Sequence, residues 1–128
     1  MKLRQRHFSS LEAAEKQFEK LGCDLAGSKI MNEKALFFTL ELKDISLRAA
    51  IILKQELMAL GGEVVLSREV MTLKQEKTDV LLLGTQKQYR KLWQKLYQQQ
   101  FGCKEIAALL QNYFEKQIQE RKKPLLWK

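Results

Sequence analysis

The apolar residues of this chain change their spacing from one segment to the next, and this change constrains the fold more than any other feature. Residues 36–42 alternate between apolar and polar positions, which is typical of a strand with one buried face. From Asp44 or Ser46 to Leu60 the apolar residues recur at helical spacing, and a Gly-Gly pair then ends the helix. Residues 63–67 are short and apolar enough for a second strand. The sequence therefore predicts a strand, a helix and a strand in succession.

The next apolar run, Val80 to Leu83, is continuous instead of alternating. Such a run is typical of a strand that is covered on both faces in an α/β sheet. A helix follows directly, and its apolar face carries Tyr89, Leu92, Trp93, Leu96 and Tyr97. Residues 68–77 are compatible with an antiparallel return or with an exposed connection, and the sequence does not decide between them.

Two further amphipathic segments complete the pattern: residues 11–21, capped by Ser9 or Ser10, and a helix that starts near Lys104. We therefore predict one α/β domain, a two-layer or three-layer sandwich. Its small sheet has three or four strands, mainly parallel or mixed, and it carries about four helices. The 128 residues can bury such a core, but they are too few for a complete TIM barrel of about 250 residues.

The two ends of the chain differ from this central domain, which we place at residues 9–120. Residues 1–8 are a basic leader that we expect to be flexible. Residues 121–128 form a charged tether that ends in three large apolar residues, so we expect a further domain downstream. The apolar runs are too short to cross a bilayer and the leader does not resemble a signal peptide, so we expect a cytoplasmic chain without a membrane partner.

The chain contains few of the residues from which catalytic or metal centres are built. Cys23 and Cys103 are far apart and form no C-x-x-C pair, and His7, the only histidine, lies in the leader. The glycine-rich nucleotide motifs, the nucleophile elbow and the H-E-x-x-H motif are absent. We therefore predict no catalytic residue, no metal site and no cofactor in this chain.

Several short blocks occur in a fixed order over residues 21–117. They are Gly-Ser-Lys-Ile-Met at 27–31, Lys-Ala at 34–35, and the segments 49–63, 67–68, 77–89 and 100–103. This ordered set resembles the N-terminal extension that precedes the pterin-binding barrel in some bacterial and archaeal dihydropteroate synthases. The last block reads Gln-Phe-Gly-Cys where that family usually has Gln-Pro-Phe-Gly.

The resemblance implies a non-catalytic accessory domain in folate biosynthesis. The barrel, which joins a pterin pyrophosphate to p-aminobenzoate, would start beyond Lys128. The Asn-x-Thr-Pro-Asp-Ser-Phe signature of that barrel is absent, so no catalytic residue carries over. The implied partner is the synthase barrel, in cis or in trans. The domain would pack on it, mediate assembly, for example as a homo-oligomer, or bind a regulatory ligand.

The junction of a buried strand with a helix is a candidate ligand or partner site. At Gly84 and Thr85 free N–H groups and the helix dipole can hold an anion, and Lys87 adds charge. Thr85 as an ordinary helix N-cap explains the same residues. Ser67 and Arg68 would share this edge of the sheet if their strand were parallel to the strand that ends at Gly84.

A polar strip of Lys54, Gln55 and Glu56 on the second helix is another candidate for partner contacts. It lies in the longest of the blocks that resemble the synthase family. The simpler interpretation is that these three residues form the solvent-exposed side of an otherwise apolar helix.

The helix that contains Trp93 also has a basic face without an acidic residue, formed by Lys87, Arg90, Lys91 and Lys95. This face accounts for part of the formal net charge of +8. Basic residues interleaved with aromatic ones are typical of nucleic-acid binding, which is the alternative function. On a helix, however, these aromatic residues point to the core and the cations point outward, which favours a solvated basic face.

Overall fold

The structure, a computed structural model, describes residues 1–122 of the chain. In this part the helices and strands are α1 (Leu11–Lys20), α2 (Leu25–Met31), β1 (Phe37–Ser46), α3 (Leu47–Ala59), β2 (Glu63–Val65), β3 (Lys77–Thr85), α4 (Gln86–Leu96) and α5 (Cys103–Lys122). Two short 3-10 helices span Asn32–Ala35 and Arg68–Thr72. The predicted α/β class is confirmed, with five α-helices where about four were expected.

The sheet has three strands, with β3 in the centre, and β3 pairs antiparallel with both β1 and β2. The prediction of a mainly parallel or mixed sheet was therefore wrong. The reason lies in residues 66–76, which join β2 to β3 through one 3-10 turn and no α-helix. A parallel neighbour would need a crossover of about a dozen or more residues, usually helical. Residues 68–77, which the sequence left open, make the antiparallel return.

The hydrophobic core lies on one side of the sheet, against α3, α4 and α5. Along β3 the burial alternates, since Val80 and Leu82 are buried whereas Leu81 is 37% exposed. The prediction that residues 80–83 are covered on both faces was therefore wrong, because all three packed helices contribute to the same core. The domain is the two-layer sandwich of the predicted alternatives, and the other face of its sheet is open to solvent.

Helix α3 begins where a capping side chain is available. The Ser46 Oγ accepts a hydrogen bond from the Ala49 N–H at 3.1 Å, which makes Ser46 the N-cap. Asp44, the other candidate, has a φ of 64° in the irregular part of β1, where the register with β3 shifts between Leu42 and Ile45. After this bulge the pairing resumes, with Ile45 opposite Thr78 and Ser46 opposite Lys77, and α3 then starts.

The two ends of the chain are described only in part. Residues 1–8 contain no helix or strand. Of the predicted tether, residues 121–122 are the end of α5, and residues 123–128 lie outside the described residues. The domain limits at 9–120 stay a prediction. Among residues 1–122, none of the helices has the length and apolar character that a membrane span requires.

Candidate functional site

The N-terminus of α4 is capped by the side chains of its N-cap residue and of its first turn. The Thr85 Oγ1 accepts a hydrogen bond from the Gln88 N–H at 3.3 Å, and the Gln88 Oε1 accepts one from the Thr85 N–H at 2.9 Å. The Gln86 N–H donates to the Leu36 carbonyl at 2.9 Å. A Cβ on the buried Gly84 would lie 2.9 Å from the Gln88 Oε1. This capping box uses the groups that an anion at Gly84 and Thr85 would need, and the anion site stays a prediction.

A cluster of three lysines lies beside this junction. Lys34, Lys87 and Lys91 line a pocket of about 390 Å³ together with Thr85 and Gln88. The charge of Lys34 is the largest cause that lowers the pKa of Lys87, and partial desolvation and the neighbouring cations add to it. Lys87 therefore lies close enough to both Lys34 and Lys91 to be repelled by their charges, and we call the three residues the lysine cluster.

The rest of the predicted basic face has acidic partners from other elements. The Arg90 guanidinium makes a bidentate contact with Glu33, with its Nε 3.0 Å from both carboxylate oxygens. This contact raises the pKa of Arg90. The Lys95 Nζ lies 3.5 Å from the Glu56 carboxylate. Two of the four basic residues are therefore paired with acidic residues of other elements, and Lys87 and Lys91 belong to the lysine cluster.

Ser67 and Arg68 lie at the other end of β3 from Thr85. Because β2 is antiparallel to β3, with Val65 opposite Leu81, the chain after β2 runs toward the start of β3. Ser67 caps the short 3-10 helix by accepting from the Glu69 N–H at 3.2 Å. The condition for a cleft shared with Thr85, a parallel strand, is not met. Arg68 is exposed in this position.

The polar strip of α3 makes contacts within the domain. The Lys54 ammonium forms an ion pair with Glu63 and donates to the Val64 carbonyl at 2.9 Å. The hydrogen bond from Lys54, and one from the Val64 N–H, lower the pKa of the Glu63 carboxyl. Lys54 therefore ties α3 to β2, while Gln55 is exposed and Glu56 pairs across to α4.

The open sheet face is a feature that the sequence reasoning missed. It consists of the outward residues of the three strands: Phe37, Thr39 and Glu41 of β1, Glu63 and Val65 of β2, and Asp79, Leu81 and Leu83 of β3. Phe37 is 59% exposed, Val65 48% and Leu81 37%. The sequence signal for it is the alternation of residues 36–42, because the outward residues of that strand lie on the face away from its buried apolar residues.

The two cysteines are free thiols: Cys23 is half-buried, and Cys103 lies in the core, where burial raises the pKa of its thiol. Tyr89 lies fully in the core and burial raises the pKa of its hydroxyl. Among the described residues, no group of three or more His, Cys, Asp or Glu side chains is placed to hold a metal ion.

Fold and surface together define a small two-layer α/β domain with an open, partly apolar sheet face. The chain is 29% identical over 104 residues, 81% of its length, to the bifunctional dihydropteroate synthase/dihydropteroate reductase of Helicobacter pylori (strain ATCC 700392 / 26695). The match covers 27% of that enzyme, so the chain spans about a quarter of the length of this curated relative. Neither a protein-family model nor a solved structure matches the chain.

Proposed function

We propose that this chain is a non-catalytic accessory domain of a dihydropteroate synthase and acts in folate biosynthesis by packing on the catalytic part of that enzyme. The similarity to the Helicobacter pylori enzyme carries this proposal. The matched 104 residues are 27% of that enzyme, and a (β/α)₈ barrel needs about 250 residues. The shared part is thus too short to be a barrel, and its three-stranded antiparallel sheet is a different architecture.

The geometry of the candidate residues supports a role in packing instead of chemistry. Lys54, Glu56, Arg90 and Lys95 are each in an ion pair with another element of the domain. The capping box at Thr85 uses the polar groups of the strand–helix junction. Exposed apolar residues remain on the open sheet face, and contiguous apolar surface marks an interaction site.

The experiment compares the catalytic part of a dihydropteroate synthase from the same organism with and without this chain. We expect the two polypeptides to co-elute in size-exclusion chromatography and the Tm of the catalytic part to rise in the presence of the chain. Dihydropteroate formation should require the catalytic part, and the chain alone should show none. If the chain neither co-elutes nor changes the Tm or the kinetics of the catalytic part, the accessory function is wrong.

Nucleic-acid binding is a second candidate function, and the lysine cluster is the observation that favours it. The cluster carries three positive charges around one pocket, in a chain of net charge +8. Three phosphate contacts would give a slope of about −2.7 in a plot of log K against log salt for duplex DNA. Anisotropy of labelled DNA and RNA at low salt tests this. Binding that is lost in Lys87→Gln and kept in Lys95→Gln would favour this function over the accessory role.

A further inference from the structure

The open sheet face brings apolar residues of all three strands into one patch. Leu81 of the central strand lies directly opposite Val65 of β2 and Glu41 of β1 in the register of the sheet. Residues directly opposite in antiparallel strands point to the same face, with Cβ atoms about 5 Å apart. Val65 and Leu81 are therefore contiguous, and both are exposed.

The next row of the sheet extends this patch. Leu83 lies opposite Thr39 of β1 and Glu63 of β2, two residues along β3 from Leu81. Phe37, two residues along β1 from Thr39, is 59% exposed at the same end of the face. The result is an apolar centre with a polar rim, which is the composition of a protein interface.

The rim of the face carries acidic side chains. The Glu41 carboxylate lies 3.9 Å from the Lys43 ammonium, and the Asp79 Oδ1 accepts from the neutral Asp44 N–H at 2.8 Å. A partner surface would therefore face an apolar centre with an acidic rim. The chemistry favours an apolar protein surface as the occupant and disfavours a nucleic acid, whose phosphates would approach Glu41 and Asp79.

The area of the face indicates which kind of partner it can bind. β1 and β3 are each about 30 Å long over their paired residues, whereas β2 has three residues and is about 10 Å long. At about 4.8 Å per strand the face thus offers roughly 300 Å², less than half of the 800 Å² that each partner contributes to a standard interface. Counted on both sides, roughly 600 Å² is at the lower limit of the range found between domains of one polypeptide. A domain of the same enzyme fits this area better than a free-standing partner.

We propose that the open sheet face is the surface on which the catalytic part of a dihydropteroate synthase docks. This inference rests on the proposed function. The relative that the chain matches is nearly four times as long as the matched part, because the match covers 27% of it. The occupant is thus the remaining, catalytic part of such a polypeptide, which covers Leu81, Val65 and Phe37 with apolar side chains of its own.

The test maps the contact on the full 128-residue chain. The ¹⁵N-labelled chain is titrated with the separately produced catalytic part, and amide chemical shifts are recorded. We expect the shifts to concentrate in β1, β2 and β3. Leu81→Thr and Phe37→Thr keep good strand formers and remove apolar surface, and each should weaken binding about tenfold. Met58→Gln is the matched control, because Met58 is 49% exposed on α3, which packs on the opposite side of the sheet.

The possible results separate this inference from the proposed function. If no amide shifts and nothing co-elutes, the accessory function itself is wrong and the docking surface with it. If the chain binds but the shifts lie on α4 or α5, or Met58→Gln weakens binding while Leu81→Thr does not, the accessory function stands and the docking surface is wrong. The shift map of the unaltered chain decides this even if one variant does not fold.

Discussion

The hydroxyl of Tyr89 lies 2.8 Å from the carbonyl oxygen of Leu82, and it is equally close to the carbonyl oxygen of Phe38. Leu82 belongs to β3 and Phe38 to β1, so a single side chain of α4 contacts the backbone of two paired strands on the core side of the sheet. The ring itself is fully buried and packs on Phe114 of α5, with ring centroids 5.2 Å apart. Tyr89 therefore connects the sheet to two of the core helices.

Removal of this hydroxyl should destabilise the domain. We expect Tyr89→Phe to lower the free energy of unfolding by about 1–2 kcal/mol, because the buried hydrogen bond from the single O–H proton, which two carbonyl oxygens share, is lost. Tyr97→Phe is the control, since the hydroxyl of Tyr97 is exposed and bonds only to the Gln111 side chain in the structure. Urea unfolding followed by circular dichroism measures both. Equal stability of Tyr89→Phe and the unaltered chain would show that this shared hydrogen bond contributes nothing.

The sequence predicted the local structure well where a single segment determines it. Ser46 at the start of α3 and Thr85 at the start of α4 are read from residue type and spacing, because a cap acts within three residues. The strand from residue 80 to 83 is also local. The direction of that strand relative to β2 is not, since it depends on how residues 66–76 turn, and a 3-10 turn has no strong sequence signature.

The candidate site was harder to predict because its contacts join distant segments. Arg90 and Glu33 are 57 residues apart in the chain, and their bidentate contact removes one charge from the predicted basic face. Likewise, the sequence predicted that the strand containing Leu81 is covered on both faces. The core helices all pack on the other face, so Leu81 is exposed. Periodicity gives the two faces of a strand but not which of them is covered.

The glycine pair after α3 gives a second prediction, based on close packing. A Cβ on Gly62 would lie 2.7 Å from the Leu57 Cδ1 and 2.8 Å from the Leu83 carbonyl oxygen. The backbone oxygen cannot move freely, so Gly62→Ala should cost about 1–3 kcal/mol of the free energy of unfolding. Gly22→Ala is the control: its φ of 92° costs about 1 kcal/mol, but no atom lies within 4 Å of the added Cβ. A milder effect at Gly62 than at Gly22 would contradict the close packing.

The pH dependence of stability should reveal the carboxylates that are hydrogen-bonded in the folded state. The pKa of Glu15 is lowered by hydrogen bonds from Asn32 and Lys29, and that of Glu63 is lowered by those from Lys54 and Val64. A carboxyl with a lowered folded pKa contributes stability above its unfolded pKa, and that contribution is lost as the pH falls through the folded value. We therefore expect the Tm to fall below about pH 5.

Variants assign this acid sensitivity to the two carboxylates. The double variant Glu15→Gln and Glu63→Gln should start with a lower Tm at pH 7 and lose less of it between pH 7 and pH 3 than the unaltered chain. Glu19→Gln, at an exposed position of α1, serves as the control and should follow the unaltered chain. The assignment is wrong if the double variant loses as much Tm on acidification as the unaltered chain.

The repulsion in the lysine cluster should make the stability of the domain depend on salt. Lys87 and Lys91 are four residues apart on α4, and like charges at this spacing destabilise a helix, while Lys34 adds a third charge. Salt screens such exposed charges, so the Tm of the unaltered chain should rise when sodium chloride is added. Lys87→Gln should have a higher Tm at low salt and a smaller rise with salt, because the central charge of the cluster is gone.

Lys95→Gln should instead lower the Tm at low salt, since Lys95 lies 3.5 Å from Glu56. Differential scanning calorimetry at two salt concentrations measures these changes. A salt response that is unchanged in Lys87→Gln would show that the three charges do not interact.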